Sequence, residues 1–385
     1  MVGKRFPGRR GLLLEDAFAA GADDDRVGGV LEFAGDVEAA QPGDAARFLE
    51  DVEKFAQKFA LGELLTNSTL LITGATGLVG STLIRCLIGL KKQIKIIAPV
   101  RNKKKALTIF ESDQLAHISL IECDFEKFDD SSISDVDYII HCAAPTASSF
   151  FVSNPVETFN TIIDGTKCML NLALKKKIKG MVYLSSLEVY GEISDGTKKI
   201  PEEFQGYLDP LAIRSSYPMA KRASENLCSL YASQYGVPVK IARLTQTTGA
   251  GIEKNDERVV AQFAKCAFNN QDIILRTTGE SARPYCYITD SVSAILYILL
   301  KGKTGDCYNV ANEETFISAK DMAFFVSSAV NNKIKVRFEI KDNNQYAAPT
   351  QQNLQTTKIR NLGWAPEYGL KDIFDRLIKY LASIY

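Results

Sequence analysis

The chain has 385 residues, enough for one large α/β domain or two smaller ones with a sizeable core. Lys+Arg and Asp+Glu both total 46, so no basic excess points to nucleic acid or an anionic membrane surface. No apolar run approaches the roughly 20 residues that span a bilayer. The eight cysteines, at 86, 123, 142, 168, 228, 266, 286 and 307, form no C-x-x-C pair and read as reduced thiols of a cytosolic protein. His117 and His141 are the only histidines, so no metal site is expected.

Residues 1 to 50 are rich in Ala, Gly, Asp and Arg and contain no Ile, Ser, Thr or Asn. Residues 1–44 read as an atypical, disordered tail. From 45 to 65, Phe48, Leu49, Val52, Phe55, Ala56 and Phe59 recur at helical spacing, which predicts an amphipathic N-terminal helix packed on the domain. The apolar run Leu70-Leu71-Ile72 then leads into Thr73-Gly74-Ala75-Thr76-Gly77-Leu78-Val79-Gly80. Strand, glycine-rich turn and helix in that order bind a dinucleotide. Gly74 permits the tight turn, Gly77 leaves room for the pyrophosphate, and Gly80 lets helix and strand pack closely. Thr76, Leu78 and Val79 complete the expected cofactor contacts of this turn.

Strands are predicted at 69–73, 93–98, 118–122, 137–142, 180–185 and 238–243, with helices at 78–90, 155–175 and 217–235. Alternating strands and helices mean a doubly wound parallel sheet of the Rossmann type, with helices on both faces. Residues 66–249 form the expected dinucleotide-binding domain. Residues 250–385 carry shorter mixed elements and read as a smaller mixed α/β substrate-binding lobe, some segments of which cross back to the sheet.

Tyr217-Pro218-Met219-Ala220-Lys221 places a tyrosine and a lysine on one helical face. A phenol titrates near ~10 and is a poor base at neutral pH. A nearby ammonium and a positively charged nicotinamide stabilise the phenolate. The pair can then take a proton from a sugar hydroxyl while hydride leaves for the cofactor. Ser185-Ser186 end the preceding strand, so three chemical features stand in one order along the chain. A module that only binds a nucleotide needs none of Ser186, Tyr217 and Lys221, so an enzyme is expected.

With Gly74-x-x-Gly77-x-x-Gly80, Asp124-Phe125, His141-Cys142-Ala143-Ala144, Ser185 to Gly191, Tyr217-x-x-x-Lys221 and Arg283 to Tyr287, residues 66–385 resemble the extended short-chain dehydrogenase/reductases. The resemblance is to their NAD-dependent nucleotide-sugar epimerases, dehydratases and decarboxylases. It implies that Ser186 hydrogen-bonds the reacting hydroxyl, that Tyr217 is the base, and that Lys221 holds the nicotinamide ribose. It further implies that Asp124 and Phe125 border the adenine, that Ala143 and Ala144 line the dinucleotide cleft, and that Arg283 meets the sugar-nucleotide diphosphate.

Local runs around Asn154-Pro155, Asp209 to Tyr217, Asn255 to Val260 and Arg283 to Tyr287 look most like UDP-glucuronate decarboxylase. By that resemblance Glu188 assists near the sugar ring, and Pro145, Ser186, Arg214, Gln246, Arg258, Val259 and Arg283 bind the substrate. A 4,6-dehydratase of the dTDP-glucose type carries an Asp-Glu pair where this chain has Leu187-Glu188, and leucine cannot move a proton. The sequence departs from the decarboxylase pattern at Ala220, at Ile162 and at Gln246 to Ala250. The second strand ends Val100-Arg101-Asn102 without the usual acidic residue. Arg101 fits either an NADP 2′-phosphate or an arginine stacked on adenine with NAD bound. A 4-epimerase, a dehydratase and an NADP-dependent ketosugar reductase therefore stand as alternatives. A cytosolic homodimer, paired through the helices 155–175 and 217–235, is expected from the same resemblance.

Overall fold

The computed structural model describes residues 45–124, 128, 130–133, 135–193, 198–340 and 350–385, with side chains from Leu49 onward except at 132. The expectations for residues 1–44 and for Phe125 lie outside the described residues. Helix α1 (Ala45–Lys58) precedes the sheet and buries Val52 and Phe55. It ends earlier than its periodicity suggests. The chain turns after Lys58 and adds a separate 3-10 turn, Gly62–Leu65, which buries Leu65 completely. Glycine is a weak helix former, and a Cβ on Gly62 would lie 3.4 Å from the Leu90 side chain.

The alternation that follows comprises β1 (Thr69–Thr73), α2 (Leu78–Gly89), β2 (Lys95–Val100), α3 (Lys103–Ile109), α4 (Ser112–Leu115), β3 (Ile118–Glu122), β4 (Tyr138–His141), α5 (Ser148–Ser153), α6 (Pro155–Lys176), β5 (Gly180–Ser186), α7 (Ser216–Tyr235) and β6 (Val239–Leu244). The second strand lies two residues later than its composition suggests, because pairing with β1 and β3 fixes Lys95 opposite Thr69 and Val100 opposite Glu122. The later part of the chain adds β7 (Gln246–Thr248), α8 (Val259–Asn269), β8 (Ile273–Leu275), β9 (Ala282–Tyr287), α9 (Ile288–Lys301), β10 (Cys307–Val310), β11 (Asn312–Ser318), α10 (Ala319–Phe325), β12 (Val336–Phe338), α11 (Thr357–Arg360) and α12 (Leu370–Ile384).

Seven strands form one parallel sheet in the order β3-β2-β1-β4-β5-β6-β10. The strand order reverses between β1 and β4, which opens a crevice at their carboxyl ends, where open α/β sheets bind ligands. Alternate residues of β1 feed opposite layers. Leu70 and Ile72 pack toward α1, α2 and α9, while Leu71 packs toward α6 and α7. The last sheet strand, β10, comes from beyond residue 250 and pairs with β6. The remaining later strands form a three-stranded sheet, β11-β9-β7, and the pair β12-β8. They cover a second core built around Phe263, Tyr285, Tyr287, Met322, Phe374 and Leu377.

Candidate active site

The glycine turn between β1 and α2 shows why each glycine is there. Gly74 has φ +67°, and a Cβ on it would come within 2.9 Å of the Ala143 backbone nitrogen. A Cβ on Gly80 would lie 2.2 Å from the Gly74 carbonyl oxygen. Gly77 differs: its Cβ would meet only the Gly74 oxygen at 3.5 Å, so the position looks onto open space at the start of α2. First-turn N–H groups have no intrahelical acceptor, and the helix dipole favours an anion there. The cradle therefore fits a dinucleotide pyrophosphate. Thr76, Leu78 and Val79 are half-buried around it, and Leu78 and Val79 also lean on the second core.

On the β4 side, Ala143 N donates to Thr73 Oγ1 at 3.1 Å, and the same oxygen lies 2.7 Å from His141 Nδ1. His141 is buried, and burial together with the Lys221 charge pushes its imidazole down to about 3. It is a neutral, packed histidine that ties β1 to β4. Arg101 and Asp124 are exposed just past β2 and β3. Asn102 is occupied as the cap of α3, accepting from Lys105 N at 2.9 Å, which leaves Arg101 as the side chain at that strand end.

The reactive groups meet at the end of β5 and the start of α7. Lys221 is 3% exposed and donates from Nζ to the Leu184 carbonyl at 2.7 Å. Burial pushes its pKa down to about 8, opposed by the Glu225 carboxylate one turn further along α7. Its Nζ lies 5.7 Å from the centre of the Tyr217 ring. Burial, and then the Glu188 charge, hold the Tyr217 phenol above its ordinary value, while a hydrogen bond with Ser186 pulls the other way. The Tyr217 ring stacks on Phe151 of α5, with centroids 4.2 Å apart and planes 8° from parallel.

Glu188 lies in the 3-10 turn Leu187–Tyr190, with Ser186 Oγ accepting from Glu188 N at 3.2 Å. Its carboxylate takes both prongs of Arg214, at 3.0 and 3.2 Å. Leu187 is buried in a separate apolar cluster with Val189 and Tyr190. The expected substrate residues fall into two groups. Arg214 joins Ser186, Glu188 and Tyr217. Gln246, Arg258, Val259 and Arg283 line a single cavity beside β7 and β9, with Thr248 and Tyr285. The groups share one end of the sheet, because Ser186 pairs in register with Leu244, two residues before Gln246. Arg258 is fixed by Asp256 and by the Thr247 carbonyl, to which Nη1 donates at 2.7 Å. Pro145 is half-buried at the crevice, four residues past the end of β4.

The model of the NAD dependent epimerase/dehydratase family matches residues 70–311. The chain belongs to this family.

Several similar proteins are UDP-glucuronic acid decarboxylases. The chain is 29% identical over 309 residues to UDP-glucuronic acid decarboxylase 5 of Arabidopsis thaliana, covering 80% of this chain and 87% of that one. It is 27% identical over 338 residues to UDP-glucuronic acid decarboxylase 1 of Danio rerio, covering 85% and 77%. Among solved structures, a UDP-glucuronic acid 4-epimerase from Bacillus cereus, in complex with UDP-4-deoxy-4-fluoro-glucuronic acid and NAD, superposes with a TM-score of 0.70 at 20% identity, covering 82% of this chain and all of that one. The dTDP-glucose 4,6-dehydratase of Bacillus anthracis, in complex with NAD, gives 0.66 at 18% identity, covering 82% and 96%. These two likenesses establish the shared fold. In this family setting, the two departures Ile162 and Ala220 prove to be neighbours: both are buried in one cluster with Phe151 and Tyr217. Phe151 went unnoticed in the sequence, where Ser148-Ser149-Phe150-Phe151 carries no periodic or motif signal.

Proposed function

We propose that this NAD-dependent enzyme converts UDP-glucuronate to UDP-xylose and carbon dioxide, oxidising C4 of the sugar and returning the hydride after decarboxylation. The observation that carries this reading is the gathering of Ser186, Tyr217 and Lys221 at one strand end with Arg214 and Glu188 beside them. Similarity to UDP-glucuronic acid decarboxylases over four-fifths of the chain supports it. NAD bound along the glycine turn supplies a hydride acceptor that is regenerated within the turnover. Tyr217 accepts the C4 hydroxyl proton, Ser186 holds that hydroxyl, and Lys221 keeps positive charge beside the phenolate. The resulting 4-ketone makes the sugar a β-keto acid; its C5–C6 bond breaks as carbon dioxide leaves, the electron pair passes to the C4 oxygen as an enolate, and a proton from solvent then adds at C5. Tyr217 returns its proton when C4 is reduced. Residues 250–385 act as the substrate lobe, with Arg258 and Arg283 facing the diphosphate.

The same reading takes the enzyme as a cytosolic homodimer. The faces of α6 and α7 leave Val156, Phe159, Leu174, Leu230 and Tyr235 exposed, an apolar surface suited to pairing. No helix among the described residues is long and apolar enough to cross a membrane. The test is mass spectrometry of the purified protein with UDP-glucuronate, with NAD and NADP supplied separately. Loss of carbon dioxide to give UDP-xylose supports the reading. An unchanged mass with a new sugar peak means 4-epimerisation. No turnover with UDP-glucuronate refutes both and directs the search to dTDP-, GDP- and CDP-hexoses.

A further inference from the structure

The Glu188–Arg214 pair has the build of an exchangeable contact. Its side chains are 28% and 35% exposed, so both face solvent at the reactive centre. By contrast, the pair between Arg243 of β6 and Glu225 of α7 is sealed, at 8% and 11%. Each partner of the exposed pair is also held independently of the other. Glu188 is fixed through its backbone N–H, which donates to Ser186 Oγ. The Arg214 guanidinium lies 5.0 Å from the Phe151 ring centre. Phe151 is itself anchored, by its stack on Tyr217 and by Ser216 Oγ, which donates to the Phe151 carbonyl at 3.1 Å. A guanidinium resting on an aromatic face keeps its place when its carboxylate partner is exchanged.

The chemistry of the site says what the exchange partner is. Ser186 and Tyr217 stand two and three residues from Glu188 and Arg214. A sugar whose C4 hydroxyl sits at Ser186 and Tyr217 carries its C5 substituent one ring carbon away. In a uronate that substituent is a carboxylate. An arginine fork matches one carboxylate bidentately, and two carboxylates crowded at one cation repel each other.

We propose that Arg214 recognises the C5 carboxylate of the sugar, and that Glu188 occupies its fork until a uronate displaces it. The proposal rests on the UDP-glucuronate reading above. It makes the ion pair a specificity device. A sugar bearing a neutral hydroxymethyl group at C5 cannot replace a carboxylate on Arg214 and leaves the pair closed. A uronate replaces one charge-assisted contact with another and sets Glu188 free beside the ring.

The test is calorimetric binding of UDP-glucuronate and UDP-glucose to the NAD-loaded wild type, Arg214→Gln and Glu188→Gln. Arg214→Gln should weaken UDP-glucuronate by at least about tenfold, the loss of one charge-assisted pair, and leave UDP-glucose within about twofold. Continued binding of UDP-glucose shows that this variant is folded. Glu188→Gln should bind UDP-glucuronate more tightly than the wild type, with UDP-glucose unchanged, because the competitor for Arg214 is gone. A structural role for the pair predicts no such gain. An Arg214→Gln variant that keeps the wild-type preference for the uronate overturns the proposal, as does a Glu188→Gln variant that binds the uronate more weakly. A wild type that binds neither sugar nucleotide overturns the UDP-glucuronate reading itself, and the proposal with it.

Discussion

Replacing Lys221 should make the NAD-free protein more stable while ending turnover. The ammonium is 3% exposed, and burial pushes its pKa from 10.5 down to about 8 against the pull of Glu225. Between those two values the unfolded chain binds more protons than the folded one, so stability rises with pH across that window. Below pH 8 both states are charged and the penalty for burying the charge is present in full. The shift corresponds to about 3 kcal/mol, at about 1.4 kcal/mol per unit. Lys221→Met removes that penalty and keeps much of the stem volume, but it forfeits the hydrogen bond to the Leu184 carbonyl, about 1 kcal/mol. The expected result is a gain of about 2 kcal/mol at pH 7, becoming a loss of about 1 kcal/mol above pH 10.5. Urea unfolding of both proteins at pH 7 and pH 10, followed by circular dichroism, measures this directly. A variant less stable than the wild type at pH 7 would refute the reasoning. So would a difference that does not change between the two pH values.

Tyr217→Phe should lower turnover by about 10²- to 10⁴-fold, the contribution of a positioned base, while NAD still binds; steady-state kinetics beside a cofactor titration separates the two effects. Gly80→Ala places a methyl 2.2 Å from the Gly74 carbonyl oxygen, so the turn must shift; protein purified from this variant should lack bound NAD, and full cofactor occupancy would contradict the close-packing argument. Asp51 on α1 is buried, accepts from the Tyr287 hydroxyl at 2.5 Å and pairs with Arg376 of α12. Asp51→Ala should therefore cost about 1–3 kcal/mol in denaturant unfolding, because the buried Tyr287 hydroxyl loses its acceptor while the part-exposed Arg376 turns to solvent. Removing residues 1–44 should leave activity unchanged, and loss of folding on that truncation would show that the segment belongs to the working fold.

The glycine turn, the order of strands and helices through β6, and the Tyr217–Lys221 pair were legible because each is local. A strand of five or six residues, a turn that needs φ above zero, and a four-residue helical spacing are all set within one stretch of chain. The end of α1 was less legible. Apolar residues continue at helical spacing past Lys58, but Gly62 and the burial of Leu65 divert the chain into a separate turn. Sequence also named Gln246, Arg258, Val259 and Arg283 without saying that they share one cavity while Arg214 sits elsewhere.

By itself, then, the sequence determined a doubly wound fold with a glycine-rich first turn and named Ser186, Glu188, Tyr217 and Lys221, which the structure gathers at one strand end. The tertiary structure alone decided that β10 is the later segment that returns to the main sheet, that Phe151 stacks on Tyr217, that Glu188 closes on Arg214, and that Asp51 reaches Tyr287. These contacts join segments from 26 to 236 residues apart in the chain, or depend on strand order in the sheet. Such pairings leave no period in the sequence, because what selects them is the free energy of burying and pairing groups that only the finished fold brings together.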